Sequence, residues 1–401
     1  MICALASGVS EIANFSSALD CASTLNCLQQ LGISIEQSAD KVIIEGRNEF
    51  TEPTAALDCG NSGSTMRILA GVLASTGFNT ELIGDESLSS RPMQRIIQPL
   101  ELMGARIKSV SGKPPLRITG SDHPTPISYK LPVASAQVKS AVLFCGLKAN
   151  GRTEVIETVK SRDHTERLFN GFGVAVNDAG LSVQLDGPAR FRGGNIIVPG
   201  DISSAAYFIA GAALLPGSEL IINGVGLNPT RSSFLTVLNS WGANIKISDV
   251  HSERNETVGT VTVLGGISTG ASQADRTIDK DLIPSLIDEL PLLAVVGTQV
   301  SGGIEIRDAA ELRHKESDRL SATARNLIAM GAELEEKDDG LIIGGPAKLK
   351  GARLDSFGDH RIAMSFAIAG LLADGPSELD GPECVEISFP EFFSILQRVT
   401  K

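Results

Sequence analysis

The segment Glu311-Leu312-Arg313-His314-Lys315-Glu316-Ser317-Asp318-Arg319 crowds charges of both signs into nine positions. Such a run is ordinarily a solvated helix face. If it is helical, however, Lys315 and Arg319 stand four apart on one face and aim two cations together, which suits a phosphate or a carboxylate. Gly358-Asp359-His360-Arg361 opens an otherwise apolar stretch, IAMSFAIAGLLA, so Arg361 falls at a helix start. The helix dipole disfavours a cation there, and its presence needs another reason. Ser89-Ser90-Arg91-Pro92-Met93 and Ser161-Arg162-Asp163-His164 each hold an arginine in a loop ahead of a helix. One such arginine would be a solvated side chain; the combination points to anion recognition.

Oxygen-rich ligands need donors as well as charge. Ser135-Ala136-Gln137, at the start of an apolar helix, offers a hydroxyl, free backbone N–H groups and an amide. Gly60-Asn61-Ser62-Gly63-Ser64 does the same, and its glycines permit close backbone approach to an anion. Each also fits a simple N-cap or turn. The pair Asp288-Glu289 lies inside the apolar run IPSLIDELPLLAVV, where a carboxylate must find a partner or hold its proton, a setting suited to a general acid or base, although taken alone the pair reads first as a helix N-cap. There is no GxxxxGK[ST] loop, no HExxH, and no GxGxxG at a strand-to-helix junction, so a nucleotide cofactor is not indicated. Gly266-Ile267-Ser268-Thr269-Gly270 fits GxSxG, but polar sequence follows where a nucleophile elbow requires an apolar helix. His123 and His251 sit in polar loop sequence and carry no functional reading.

These residues recur at one place in a repeated pattern: a polar or glycine-rich start, an apolar small-residue helix, a glycine turn, then a strand. It begins at Gly60, Ala134, Gly200, Ile283 and Gly358, and most copies are followed by a second helix ending in LQQLGISIEQ, LELMGARIKS, FNGFGVAV, LNSWGANIKIS or LIAMGAELEE. The spacing suits β-α-β-α-β-β modules, about six in two groups of three. Because the first helix of each module is apolar on every face, it belongs inside, with strands and second helices outside. The helix N-termini would then converge and make an anion site even in an acidic protein. The stretch Ile196 to Asp201, where Pro and Gly interrupt the pattern, divides two domains, 1–199 and 200–401.

The 401 residues carry 35 Lys plus Arg against 47 Asp plus Glu, a formal charge of −12, which leaves no footprint for binding a nucleic-acid backbone. With one Trp and two Tyr, the composition also argues against a base-stacking platform. The six cysteines (Cys3, Cys21, Cys27, Cys59, Cys145, Cys384) are scattered with no zinc-type spacing, and read as buried thiols in a reducing compartment. No segment reaches about 18 uninterrupted apolar residues and the start lacks a basic leader region, which predicts a cytoplasmic protein without a membrane span.

Read together and in order, GNSGSTMR, SRPM, ASAQVKSA, SRDHTE, VPGDISSAAYF, IDELP, ELRHKESDRL, GDHRIAMS and SFPEFF resemble the 5-enolpyruvylshikimate-3-phosphate synthase family. ASAQVKSA and SRDHTE look closest to the branch that includes glyphosate-tolerant bacterial enzymes. The resemblance implies a two-domain inside-out α/β barrel, the enolpyruvyl transferase fold. It implies transfer of the enolpyruvyl group of phosphoenolpyruvate to the 5-hydroxyl of shikimate 3-phosphate, with release of phosphate, in aromatic amino-acid biosynthesis. It also implies a monomer that needs no metal or organic cofactor. Carried over residue by residue, Ser135, Ala136, Gln137, Arg162, Asp288 and Lys315 would hold shikimate 3-phosphate, and Gly63, Arg91, Gln137, Arg319 and Arg361 would face phosphoenolpyruvate. Asp288 would take the proton from the attacking hydroxyl. Glu316 would take part in proton transfer at the methylene carbon. The absence of a side chain at Gly63 would leave room for the inhibitor glyphosate in the phosphoenolpyruvate site.

The chain departs from the family at its start. The opening strand and a PGDKSISHRA-like segment, which would supply a Lys, a Ser and an Arg, have no counterpart, and VPGDISSAA has Ile202 where that Lys would stand. ALASGVSEI matches the helix end, turn and strand of the other modules, so the internal logic of the repeat expects about twenty residues ahead of Met1. Three readings therefore stand: the synthase; the related UDP-N-acetylglucosamine enolpyruvyl transferase, which ELRHKESDRL and SRDHTE disfavour; and an inactive binding protein on the same scaffold.

Overall fold

The computed structural model describes residues 1–267 and 276–400. Ser268-Thr269-Gly270, which complete the GxSxG match, lie outside the described residues. Contacts divide the chain into two units, Met1–Val198 with Glu253–Glu256, and Pro199–Ser252 with Thr257–Lys401.

The repeat becomes a recurrent sheet. In the first unit, Asn79–Ile83 is flanked on one side by a parallel edge strand, Leu57–Asp58, and on the other by antiparallel Lys113–Thr119 and then Arg106–Val110. Gly151–Ile156 is likewise flanked by parallel Ser128–Lys130, then by antiparallel Ser182–Gly187 and Val176–Ala179. Gly8–Ala13 pairs antiparallel with Lys41–Gly46, which pairs with Ser34–Gln37, and its parallel edge is supplied from far along the chain by Ile196–Ile197. In the second unit, Ile304–Ile306 repeats the four-stranded arrangement with Thr277–Ile278, Gly340–Ile343 and Leu334–Lys337. The other described sheets there have three strands (Glu219–Gly226, Glu256–Leu264, Asn244–Glu253) and two (Arg353–Asp355, Glu378–Asp380). Alternating burial along strands such as Lys113–Thr119 gives each sheet an apolar inner face and a polar outer one.

Inside lie the apolar helices. Gly63–Leu73 and Ala136–Gly146 pack together in the first unit; Ile202–Leu214, Leu290–Gly297 and His360–Leu372 do so in the second. Every residue of Leu290–Gly297 is buried, and each such Leu or Val side chain is worth about 1.5–3 kcal/mol of transfer free energy. Gly71 makes the first-unit pair possible: a Cβ there would stand 2.2 Å from the Ala141 carbonyl oxygen. The second helices, Leu19–Gln30, Gln94–Leu102, His164–Gly171, Ser233–Ser240 and Arg319–Ala329, each lead into a strand of a sheet. Each ends in a glycine in the left-handed region (Gly32, Gly104, Gly173, Gly242 and Gly331, φ +82 to +104), which stops the helix and turns the chain into the next strand. Two expectations need correction. The Ile283 copy is not one helix, because Ile283–Leu286 and Leu290–Gly297 are separated by a turn. Cys21 and Cys384 are half-buried rather than buried, and all six cysteines are free thiols. Among the described residues no helix is long and apolar enough to cross a membrane.

Candidate active site

In the first unit, Ser62 caps the Gly63–Leu73 helix, its hydroxyl accepting from the Thr65 N–H at 3.2 Å. Gly63 is buried one position further on, with two guanidinium groups over it: an added Cβ would meet Arg67 Nη1 at 2.7 Å and Arg91 Nη1 at 3.3 Å. Arg91 is itself buried, and its Nη2 donates to Asn61 Oδ1 (2.9 Å) and Ser87 Oγ (3.1 Å). Asn61 in turn donates to Asp85 Oδ2 at 2.7 Å, so the glycine-rich turn and the Arg91 loop hold each other in place. Arg67 Nη1 donates to Gln137 Oε1 at 2.7 Å, and Gln137 Nε2 donates to Ser64 Oγ at 2.7 Å. The starts of the two packed helices are thereby joined, with Gly63, Arg67, Arg91 and Gln137 in one group.

Ser135 caps the Ala136–Gly146 helix, accepting from the Val138 N–H at 3.4 Å. Arg162 lies half-buried in the loop before the His164–Gly171 helix. Arg67 was missed as a site residue, although its signal was available: it stands four after Gly63 in GNSGSTMR, one helical turn on the same face.

The second unit gathers its residues around one buried guanidinium. Arg319 is 2% exposed and faces three carboxylates: Asp359 (Nε to Oδ2, 2.8 Å), Glu316 (Nη2 to Oε2, 2.7 Å) and Asp288 (Nη1 to Oδ1, 3.3 Å). Burial works against its charge, but Asp359, Glu316 and Asp288 more than offset this and hold its pKa well above the usual arginine value. Asp288 also lies 3.9 Å from Lys315 Nζ and 3.9 Å from Arg361 Nη2, so three cations stand within 4 Å of its two oxygens.

Arg361 has its reason for sitting at a helix N-terminus. Burial disfavours its charge, yet Tyr207, Asp288, Glu289 and Asp201 raise its pKa, and Glu289 Oε1 is 3.7 Å from Nη1. Asp359 caps the same helix by accepting from the Arg361 N–H at 2.8 Å, and so orients Arg319 and Arg361 together. Asp359 is the second site residue missed, since an Asp at a helix start reads as a cap and nothing more.

The helical reading of residues 311–319 does not survive. A 3₁₀ turn ends at His314, Lys315 is extended (φ −84, ψ −153), and the α-helix begins only at Arg319. Lys315 and Arg319 meet at Asp288 by way of a loop rather than along a helix face. Asp288 itself sits in the turn between Ile283–Leu286 and Leu290–Gly297, and the N-cap position belongs to Glu289, whose side chain makes no capping hydrogen bond. Chemically, the first unit presents guanidinium, amide and hydroxyl donors for anionic oxygens. The second presents a carboxylate balanced by three cations, with Glu316 sharing Arg319.

A sequence model of EPSP synthase (3-phosphoshikimate 1-carboxyvinyltransferase) matches residues 1–396. The 3-phosphoshikimate 1-carboxyvinyltransferase of Koribacter versatilis is 49% identical over 403 residues, covering 100% of this chain and 93% of the relative. That of Solibacter usitatus is 46% identical with the same coverage. A solved structure of EPSP synthase from Acinetobacter baumannii superposes with a TM-score of 0.85 at 39% identity, covering 99% of this chain and 91% of that one. On the strength of that match along nearly its whole length, and of the repeated sheets wrapped around apolar helices, the chain belongs to the EPSP synthase family.

Proposed function

We propose that this protein transfers the enolpyruvyl group of phosphoenolpyruvate to the 5-hydroxyl of shikimate 3-phosphate, giving 5-enolpyruvylshikimate 3-phosphate and inorganic phosphate. The observation that carries the reading is the second-unit cluster, in which Asp288 lies within 4 Å of Lys315, Arg319 and Arg361, and Glu316 pairs with Arg319. A reaction between two anionic substrates needs fixed cations to hold them and carboxylates to move protons, and the cluster supplies both.

Ser135, Ala136, Gln137, Arg162, Asp288 and Lys315 are the residues assigned to shikimate 3-phosphate, and Gly63, Arg91, Gln137, Arg319 and Arg361 those assigned to phosphoenolpyruvate. Asp288 accepts the proton of the 5-hydroxyl as its oxygen bonds to C2 of phosphoenolpyruvate, and Glu316 takes part in delivering a proton to the methylene carbon. The tetrahedral adduct then breaks its carbon–oxygen bond to phosphate and loses a methyl proton, restoring the double bond. The chain acts as a cytoplasmic monomer without metal, cofactor, nucleic acid or membrane as partner.

Phosphate release from phosphoenolpyruvate, followed with and without shikimate 3-phosphate, tests the reading. Release should require both substrates, and Asp288→Asn should lower kcat by about 10²–10⁴ while the variant still folds, because Arg319 keeps Glu316 and Asp359. An Asp288→Asn variant with unchanged kcat would remove Asp288 from the role of base.

A further inference from the structure

One buried ion cluster in the first unit has no part in the reading above. Lys139 is 0% exposed, an extreme position for an ammonium group. Its Nζ lies 2.9 Å from Glu157 Oε2 and 2.7 Å from Glu166 Oε1, and both carboxylates are buried with it. Glu157 also accepts from the Ser161 N–H at 3.1 Å and from the Ser161 hydroxyl. One residue along the helix from Lys139, Ser140 Oγ lies 2.6 Å from Thr165 Oγ1. Asp163 Oδ1 accepts from Arg167 Nε at 2.8 Å.

The Lys139 and Ser140 contacts cross one seam, between the helix that begins Ser135-Ala136-Gln137 and the segment 157–166 that carries Arg162, while the Ser161 and Asp163 contacts tie that segment to itself and to the helix that follows it. Arg162 is flanked by Ser161 and Asp163, both buried and both tied, so its backbone has little slack. A buried lysine with two carboxylates is an expensive way to hold two segments together, because packed apolar side chains of similar volume would hold them as firmly. What an ion cluster adds is directional: it fixes one register of helix against loop.

We infer that Lys139 is a positioning residue for shikimate 3-phosphate, holding the Arg162 loop against the helix that bears Ser135, while Gln137 at the start of that helix keeps its own ties to Arg67 and Ser64. It rests on Ser135, Gln137 and Arg162 being the shikimate 3-phosphate ligands proposed above. Lys139, with no exposed surface, has no face to offer a substrate. Burial pushes the Glu166 carboxyl up against the pull of Lys139, so removing the ammonium takes away what opposes that rise and leaves the Arg162 side of the seam without its charged tie.

The test is steady-state kinetics with each substrate varied in turn, on the full chain and on Lys139→Met, Thr165→Val and Arg162→Ala. Thr165→Val cuts the seam at a hydroxyl while leaving the buried charges paired, so it folds even where Lys139→Met does not. Expected for Lys139→Met is a KM for shikimate 3-phosphate raised about tenfold or more, and for Thr165→Val about threefold, with the KM for phosphoenolpyruvate moved less than about twofold in both. A merely structural role would lower the melting temperature without that split between substrates. If Arg162→Ala raises the KM for shikimate 3-phosphate but Lys139→Met and Thr165→Val do not, the positioning role is overturned and the ligand assignment stands. If Lys139→Met fails to fold and Thr165→Val leaves both KM values unchanged, the role is likewise overturned. If Arg162→Ala has no effect, the ligand assignment falls and the positioning role falls with it.

Discussion

A methyl group at position 63 would arrive 2.7 Å from Arg67 Nη1 and 3.3 Å from Arg91 Nη1. Both obstacles are the far ends of flexible side chains, so the fold can accommodate the methyl group. The cost falls on the guanidinium groups, and through Arg67 on Gln137, whose amide it holds at 2.7 Å. Gly63→Ala should therefore raise the KM for phosphoenolpyruvate several-fold, on the order of 1 kcal/mol of binding, and weaken inhibition by glyphosate more than that. Thermal stability should stay within about 0.5 kcal/mol of the parent. Inhibition curves at fixed phosphoenolpyruvate, beside a thermal melt, check all three. At this scale the sequence was informative about charge and blind to burial. Arg319 and Arg361 could be picked out by their neighbours in the chain, but the carboxylates that keep them ionised, Asp359 forty residues from Arg319 and Asp201 far from Arg361, come from elsewhere in the fold.

Where the Gly63–Leu73 and Ala136–Gly146 helices meet in the first unit, Gly71 faces the Ala141 backbone. Propensity would favour alanine there by about 1 kcal/mol, since glycine is a poor helix former. The added Cβ, however, would lie 2.2 Å from the Ala141 oxygen and 2.6 Å from its carbonyl carbon, and a neighbouring helix backbone cannot yield as a side chain does. Overpacking wins: Gly71→Ala should lower stability by about 1–3 kcal/mol, seen as a reduced denaturant midpoint with an unchanged slope. The elements themselves were legible from the sequence wherever an apolar run was bracketed by a polar cap and a glycine. Five buried helices and five left-handed glycines repeat one pattern closely enough to be read by comparing the chain with itself. The pattern failed where tertiary contacts override local preference. Residues 311–319 have charges at helical spacing, but the demands of Asp288 and Asp359 on Lys315, Ser317 and Arg319 are met by a 3₁₀ turn and a loop.

Acid should unfold this molecule early, and His360 is a reason. It is buried beside Asp359, Arg361 and Arg319, and burial lowers its pKa from 6.5 to about 4. Between those values the unfolded chain binds a proton that the folded chain refuses, so stability is complete above pH 6.5 and declines as the pH falls towards 4. The single group accounts for roughly 3 kcal/mol across that window. Denaturant melts at pH 7.5 and pH 4.5 should show a loss that His360→Gln largely removes; an equal loss in both proteins would exonerate the histidine. What the sequence alone did not disclose at this scale is how distant stretches complete one another. Ile12 pairs with Ile196 and Ala13 with Ile197, and Ser7 exchanges backbone hydrogen bonds with Phe191 and Gly193. During synthesis the sheet built on Gly8–Ala13 must therefore wait, one edge open, until nearly two hundred residues have left the ribosome. For that interval the nascent chain offers an unpaired strand edge, the kind of surface on which a neighbouring chain can pair before the native partner arrives.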